Sequence, residues 1–133
     1  MIKVNTLINL LKKNKSDFFT GVPDSVLKEL SISLQKKSKN KHIIATNEGA
    51  AISIGIGHYL STKKIPSIYM QNSGLSNALN PLISIAHEKV YSIPLILIIG
   101  WRGSPRVKDE PQHNVKGKIT EQILKLLNIK YTI

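Results

Sequence analysis

Cysteine is absent from the 133 residues. That excludes a disulfide scaffold, a thiolate-ligated zinc and thiol catalysis. Long apolar runs are missing too. The longest, Ile93 to Ile99 with Pro94 inside it, is far too short to span a bilayer. Met1 to Lys15 is Lys-rich and amphipathic, without the apolar region or small-residue cleavage site of a signal peptide, and a cytoplasmic location is expected. Aromatics make up only 5%, and Arg102 and Arg106 are the only guanidinium groups. Stacking and bidentate base readout are therefore poorly provided for. The net charge of +11 would otherwise suggest nucleic acid, an anionic surface or an acidic protein partner. Lysines dispersed over solvent-facing positions account for it better, so neither nucleic acid nor a membrane is expected as partner.

Hydrophobic residues at 41% suffice for one domain with an ordinary core. Val4, Leu7, Ile8 and Leu11 recur at helical spacing, and Asp17 to Thr20 reads as a short strand ending at Gly21. Asp24 or Ser25 can cap a helix through Val26, Leu27, Leu30 and Leu34. His42 to Ala45 is a second strand. Asn47 can cap a small-residue helix reaching about Leu60. Ile65 to Gln71 is a third strand, and Leu75 to Ala86 a crossover helix. The wholly apolar strand Pro94 to Ile99 suits a position covered on both faces. A long loop, Trp101 to Lys118, precedes a helix from Ile119 to Leu127, and Lys130 to Ile133 looks like a fifth strand. Strands alternating with helices predict an α/β domain, an open, mostly parallel sheet with helices on both faces.

The unusual residues gather in four places: Gly21-Val22-Pro23-Asp24, Asn47-Glu48-Gly49, Gln71-Asn72-Ser73-Gly74, and Gly100-Trp101-Arg102-Gly103 with its following loop. Each follows a predicted strand, and open parallel sheets bind ligands beyond the carboxyl ends of their strands. Glu48 is the sharpest of these. A glutamate in a first helical turn is favoured by the helix dipole alone; the functional alternative is a carboxyl group desolvated enough to exchange a proton. Gln71 to Asn77 offers amides, hydroxyls and helix-start donors, or simply a capped turn. It lacks the spaced glycine and Lys-Ser/Thr pair of a P-loop, and no GxGxxG fingerprint is present. The loop cations Arg102, Arg106, Lys108, His113, Lys116 and Lys118 could hold a dianionic group or form a solvated basic loop. Asp109, Glu110 and His113 make a poor metal site, and no metal ligand is assigned. His42, His58 and His87 are read as structural or exposed.

Gly21 to Ser25, Asn47 to Gly49, Tyr69 to Leu75, Asn80 to Leu82, Gly100 to Gly103 and Lys108 to His113 resemble the phosphonopyruvate decarboxylase family of thiamine-diphosphate-dependent enzymes. The resemblance covers roughly residues 17 to 130. It implies a single pyrimidine-binding domain over residues 1–133. It also implies that the Glu48 carboxyl group hydrogen-bonds a nitrogen of the cofactor's aminopyrimidine ring, promoting the imino tautomer that removes the thiazolium proton. Gln71, Asn72, Ser73 and Gly74 would lie near the cofactor. Asp24 and His113 would transfer protons after decarboxylation, and Arg102, Lys108 and His113 would face the anionic end of a small 2-oxo acid. Ala50, Ser76 and Arg106 depart from the family's pattern. The family's Gly-Asp-Gly motif, which with a later Asn binds diphosphate and Mg2+, is absent. A diphosphate-binding domain in the same polypeptide or another subunit is therefore expected, in a homo-oligomer, the chain being a fragment or one subunit of a two-domain enzyme. The alternatives are an α subunit of a sulfopyruvate-type decarboxylase and a non-catalytic basic α/β binding module.

Overall fold

The computed structural model describes residues 3–105 and 107–133. Arg106 lies outside the described residues. The elements run α1 (Val4–Lys13), β1 (Phe19–Gly21), α2 (Lys28–Gln35), β2 (His42–Ile44), α3 (Glu48–Thr62), β3 (Ser67–Gln71), α4 (Leu75–Pro81), β4 (Ile96–Gly100) and α5 (Pro111–Leu126). The four strands form one parallel sheet in the order β2-β1-β3-β4, the α/β architecture expected from the sequence.

Strand order explains where the helices go. The crossover from β1 to β2 runs one way along the sheet, and those from β2 to β3 and β3 to β4 run the other. Right-handed crossovers in opposite directions place their helices on opposite faces. The two cores follow suit. Leu11, Phe19, Leu30, Leu34 and Tyr69 pack together under α1 and α2. Ile52, Ile56, Ile68, Met70, Leu75, Ala78 and Leu124 pack under α3, α4 and α5. Alternation along β3 divides its side chains, Tyr69 to one core and Ile68 and Met70 to the other.

Local chemistry sets the ends of the elements. The Asn47 side chain caps α3 by accepting from the Ala50 N–H at 2.8 Å, and the helix stops at Lys63 in the left-handed region. Asp24 accepts from the N–H groups of Val26 (3.0 Å) and Leu27 (3.3 Å). It caps the turn that leads to α2, and the helix itself starts only at Lys28. The predicted helix over 75–86 is interrupted: α4 ends at Pro81, and Leu82–Ala86 form a π-helical turn. Proline brings no N–H to the helical ladder, so wider hydrogen bonding takes over.

Three expectations are corrected. The loop after β4 is shorter than expected because α5 begins at Pro111, a residue suited to a first helical position. His113 is therefore helical. Lys130–Ile133 form no strand; these residues are exposed, and the Tyr131 hydroxyl donates to Glu121 at 2.7 Å. A strand needs a neighbouring ladder, and β-forming residues alone do not supply one. Finally, β4 is an edge strand among the described residues, with Ile96–Ile99 only partly buried rather than covered on both faces.

Candidate functional site

Parallel register brings the carboxyl ends of the strands together: Gly21 lies beside Ile44 and Tyr69, and Gln71 beside Gly100. The loops after all four strands therefore share one rim. Crossovers leave β1 towards β2 on one side, while β3 lies on its other side. The switch point, where ligands settle in such sheets, falls between β1 and β3.

Polar groups from sequence-distant segments meet there. The Asp24 carboxylate, already held by its cap bonds, lies 3.5 Å from the Gln71 side-chain amide nitrogen, and Gln71 Oε1 accepts from the Ser73 hydroxyl at 2.6 Å. Gly100 makes room for Asp24, since a Cβ there would overlap its carboxylate. Glu48 opens α3, half-buried, and its Oε2 accepts from Asn77 Nδ2 at 2.9 Å. Its carboxyl group sits over Gly74, in the space that a Cβ would fill. Thus Glu48, Gly74, Ser73, Gln71 and Asp24 form one connected set.

Asn72 behaves differently. It is only 4% exposed, and its Oδ1 accepts from the Arg102 N–H (3.1 Å). Its Nδ2 donates to the Arg102 carbonyl and to Thr120 Oγ1, both at 2.9 Å. Asn72 clamps the loop after β4 against α5 from within.

In that loop Arg102 donates to both carboxylate oxygens of Asp109 (2.7 and 2.5 Å) and to the Ser25 hydroxyl (3.2 Å). Asp109 also accepts from the N–H groups of Gly103 and Glu110, each at 2.9 Å. Hydrogen bonding from Arg102 holds the Asp109 carboxyl group well below the usual carboxylate range. The same bonds push the guanidinium above its ordinary value. Gly103, at φ +66°, backs onto the His113 carbonyl, where a side chain would not fit. Lys108 is exposed and His113 half-buried on the first turn of α5. No described hydrogen bond joins either side chain to the Glu48–Asp24 set.

Thr120 had no assigned role in the sequence reading; Ser25 stood there only as a possible cap, Asn77 only as one amide of a turn, and Asp109 only as a rejected metal ligand. Asn77 left a usable sign, since three residues past Gly74 places it on the same turn of a helix. The other histidines are structural: His42 is hydrogen-bonded to the Tyr69 hydroxyl at 2.9 Å, and His58 stacks on Phe18 with ring centroids 4.1 Å apart. A cavity of about 770 Å³ lies elsewhere, lined by residues that include Leu82, Leu97, Ile99, Leu124 and Ile129. Its lining is mostly apolar, with Glu88, Glu121 and Lys130 among it, and meets the rim region at Trp101 and Thr120. The convergence of polar groups makes the switch point the candidate site instead.

The fold is an open parallel α/β domain, and its rim carries a carboxylate-centred candidate site at the topological switch point. The chain belongs to the family of thiamine pyrophosphate enzymes, N-terminal TPP binding domain, whose pattern matches residues 3–124. It is 36% identical over 113 residues to a phosphonopyruvate decarboxylase of Streptomyces viridochromogenes, covering 85% of this chain and 28% of that protein. It is also 36% identical over 124 residues to the sulfopyruvate decarboxylase subunit alpha of Methanocaldococcus jannaschii, covering 92% of this chain and 70% of that one. The crystal structure of a benzoylformate decarboxylase from Polynucleobacter necessarius shares the fold, with TM-score 0.59 and 24% identity over 80% of this chain and 19% of that one. The chain thus spans under a third of the Streptomyces enzyme's length.

Proposed function

We propose that this chain supplies the pyrimidine-binding half of a thiamine-diphosphate-dependent decarboxylase acting on a small 2-oxo acid that bears a phosphonate or sulfonate. The carrying observation is the seat of Glu48: a half-exposed carboxylate at the start of α3, over a glycine and beside the switch point. The donor set fits one end of the cofactor. The Glu48 carboxylate held by the Asn77 amide, with the linked Ser73 hydroxyl, Gln71 amide and Asp24 carboxylate on the same rim, suits a neutral aminopyrimidine, which both donates and accepts hydrogen bonds. A diphosphate with Mg2+ asks for different groups. The sequence has no Gly-Asp-Gly motif, and among the described residues no cluster of three or more His, Asp or Glu could hold a metal ion. A second domain, fused or on another subunit, would hold that end.

When bound, the cofactor supplies the electron sink for decarboxylation. In this reading Glu48 hydrogen-bonds a pyrimidine ring nitrogen and holds the proton there. Gln71, Ser73 and Gly74 line the cofactor, and Asn72 stiffens the wall behind them. Asp24 and His113 handle protons after carbon dioxide leaves. Lys108 and Arg102 face the anionic end of the substrate, with the Arg102 charge tempered by Asp109.

For the substrate we favour phosphonopyruvate, converted to phosphonoacetaldehyde and carbon dioxide, on the resemblance of the Trp101 to His113 loop. A second reading, a sulfopyruvate decarboxylase α subunit, rests on an equal 36% identity to such a subunit and on 70% coverage of its length. Carbon dioxide release by the chain assembled with its diphosphate-binding half, with the two oxo acids in competition, separates them. In that assembly Glu48→Gln is expected to abolish turnover. Retained turnover sinks the assignment, and salt-steep nucleic-acid binding indifferent to this substitution would favour a non-catalytic basic module.

A further inference from the structure

Glu48 is the first residue of α3, and a glutamate there has freely turning side-chain torsions unless something holds it. Two contacts, one from α4 and one from the turn before it, hold it. Asn77, on α4, donates from Nδ2 to Glu48 Oε2 at 2.9 Å. Gly74 leaves open the volume in which Glu48 Cγ, Cδ and Oε1 rest. A third contact fixes the holder itself, because Gly49 lies so close that a Cβ there would meet the Asn77 carbonyl at 2.9 Å. Pro81, four residues after Asn77, brings no N–H to that carbonyl, and Gly49 approaches it closely. The start of α3 and the first turn of α4 are thereby locked together at Glu48.

Chemistry dictates the direction of the bond. An ionised carboxylate only accepts, so the amide must present its nitrogen. One carboxylate oxygen is then anchored. The other, Oε1, has no hydrogen-bond partner among the described residues and is free to meet a ligand.

We propose that Asn77 is a positioning residue: by holding Oε2 it aims Oε1 of Glu48 at the cofactor's pyrimidine ring. This rests on the cofactor reading above. A merely structural staple between α3 and α4 would leave the same bond in place, and the test must tell the two apart.

The test uses the chain assembled with its diphosphate-binding half, as wild type, Asn77→Ala, Asn77→Asp and Glu48→Gln. Three quantities are measured: deuterium exchange at the thiazolium carbon of bound thiamine diphosphate, affinity for that cofactor, and melting temperature. Asn77→Ala is expected to slow exchange about tenfold, the low end for losing a hydrogen bond to a charged group. Asn77→Asp keeps the shape but sets a carboxylate against a carboxylate, so exchange should slow further while the melting temperature barely moves. On the chain itself, the Asn77 side-chain amide resonance should shift in Glu48→Gln. Wild-type exchange in both Asn77 variants, with exchange lost in Glu48→Gln, overturns the Asn77 proposal and leaves the cofactor reading standing. Undiminished exchange in Glu48→Gln overturns the cofactor reading, and the proposal with it. An amide resonance indifferent to Glu48→Gln also overturns the proposal.

Discussion

The rim has two halves built from similar residues and left in opposite states. On the α3–α4 side, a carboxylate has one oxygen anchored by Asn77 and the other without a described partner. On the α5 side, the Asp109 carboxylate takes two bonds from Arg102 and one each from the Gly103 and Glu110 N–H groups. Both halves depend on close glycine contacts, yet Gly74 makes space for the Glu48 carboxylate and Gly103 lets a loop close down on a helix. Charge alone therefore does not mark a functional group. A charged side chain is available to a ligand only where its own chain leaves part of its hydrogen-bonding capacity unmet.

That contrast can be broken, most forcefully at Glu48. Glu48→Gln in the assembled enzyme should lower kcat by at least about a hundredfold, the scale on which proton-handling groups act. An effect under tenfold would show that the two carboxylates are not different in kind. Next in size is Gly103→Ala, which combines a positive φ with a clash against the His113 carbonyl. It should cost roughly 1–3 kcal/mol in denaturant-unfolding stability, whereas an unchanged midpoint would mean that the loop does not need this close approach.

Acid and alkali sharpen the comparison with the sheet beneath. Burial pushes the Tyr69 hydroxyl from 10.0 up to about 12 and lowers His42 from its ordinary 6.5. Between pH 10 and 12 the unfolded tyrosine releases its proton first, so stability should fall as pH rises through that window. Below pH 6.5 the unfolded histidine takes up a proton first, so stability should fall as pH drops. Tyr69→Phe should flatten the alkaline limb of a melting curve against pH, and a limb unchanged in this variant would assign it to other groups. Asp109 works oppositely to Tyr69: a carboxyl group held below its ordinary value stabilises at neutral pH and loses that effect only in strong acid. The smallest expected effect is that of Asp109→Asn. It keeps the outline while lifting the counter-charge from Arg102 and turning one accepting oxygen into a donor, so under the proposed function KM for an anionic 2-oxo acid should fall by about two- to fivefold, the scale of a weak ion pair. A KM that rises would show the pair to be needed for loop shape more than for charge balance.

Much of the rim was legible in the residues. Gly21–Asp24, Asn47–Gly49, Gln71–Gly74 and Gly100–Gly103 each follow a strand, and in a parallel sheet strands end on one edge, so their meeting required only the strand assignments. Asn72 was misleading because an amide in a turn looks the same whether it faces a ligand or, as here, the backbone of Arg102. The start of α5 was obscured because Pro111 to Lys118 has little apolar periodicity, although Pro111 is itself a helix-start signal.

By itself, the chain's pattern of apolar spacing and turn residues determined the alternating α/β order, the parallel sheet and the position of Glu48 at a strand-to-helix junction. Those properties are local, written within a few residues of where they act. Only tertiary structure decided that Asn77 holds Glu48, that Asp109 balances Arg102, that Asn72 faces inward and that Lys130–Ile133 form no strand. Each of these depends on a neighbour supplied from elsewhere in the chain, and a hydrogen-bond partner, unlike periodicity, is not named by the residues beside it, even where spacing, as at Asn77, puts the group on the right helical turn.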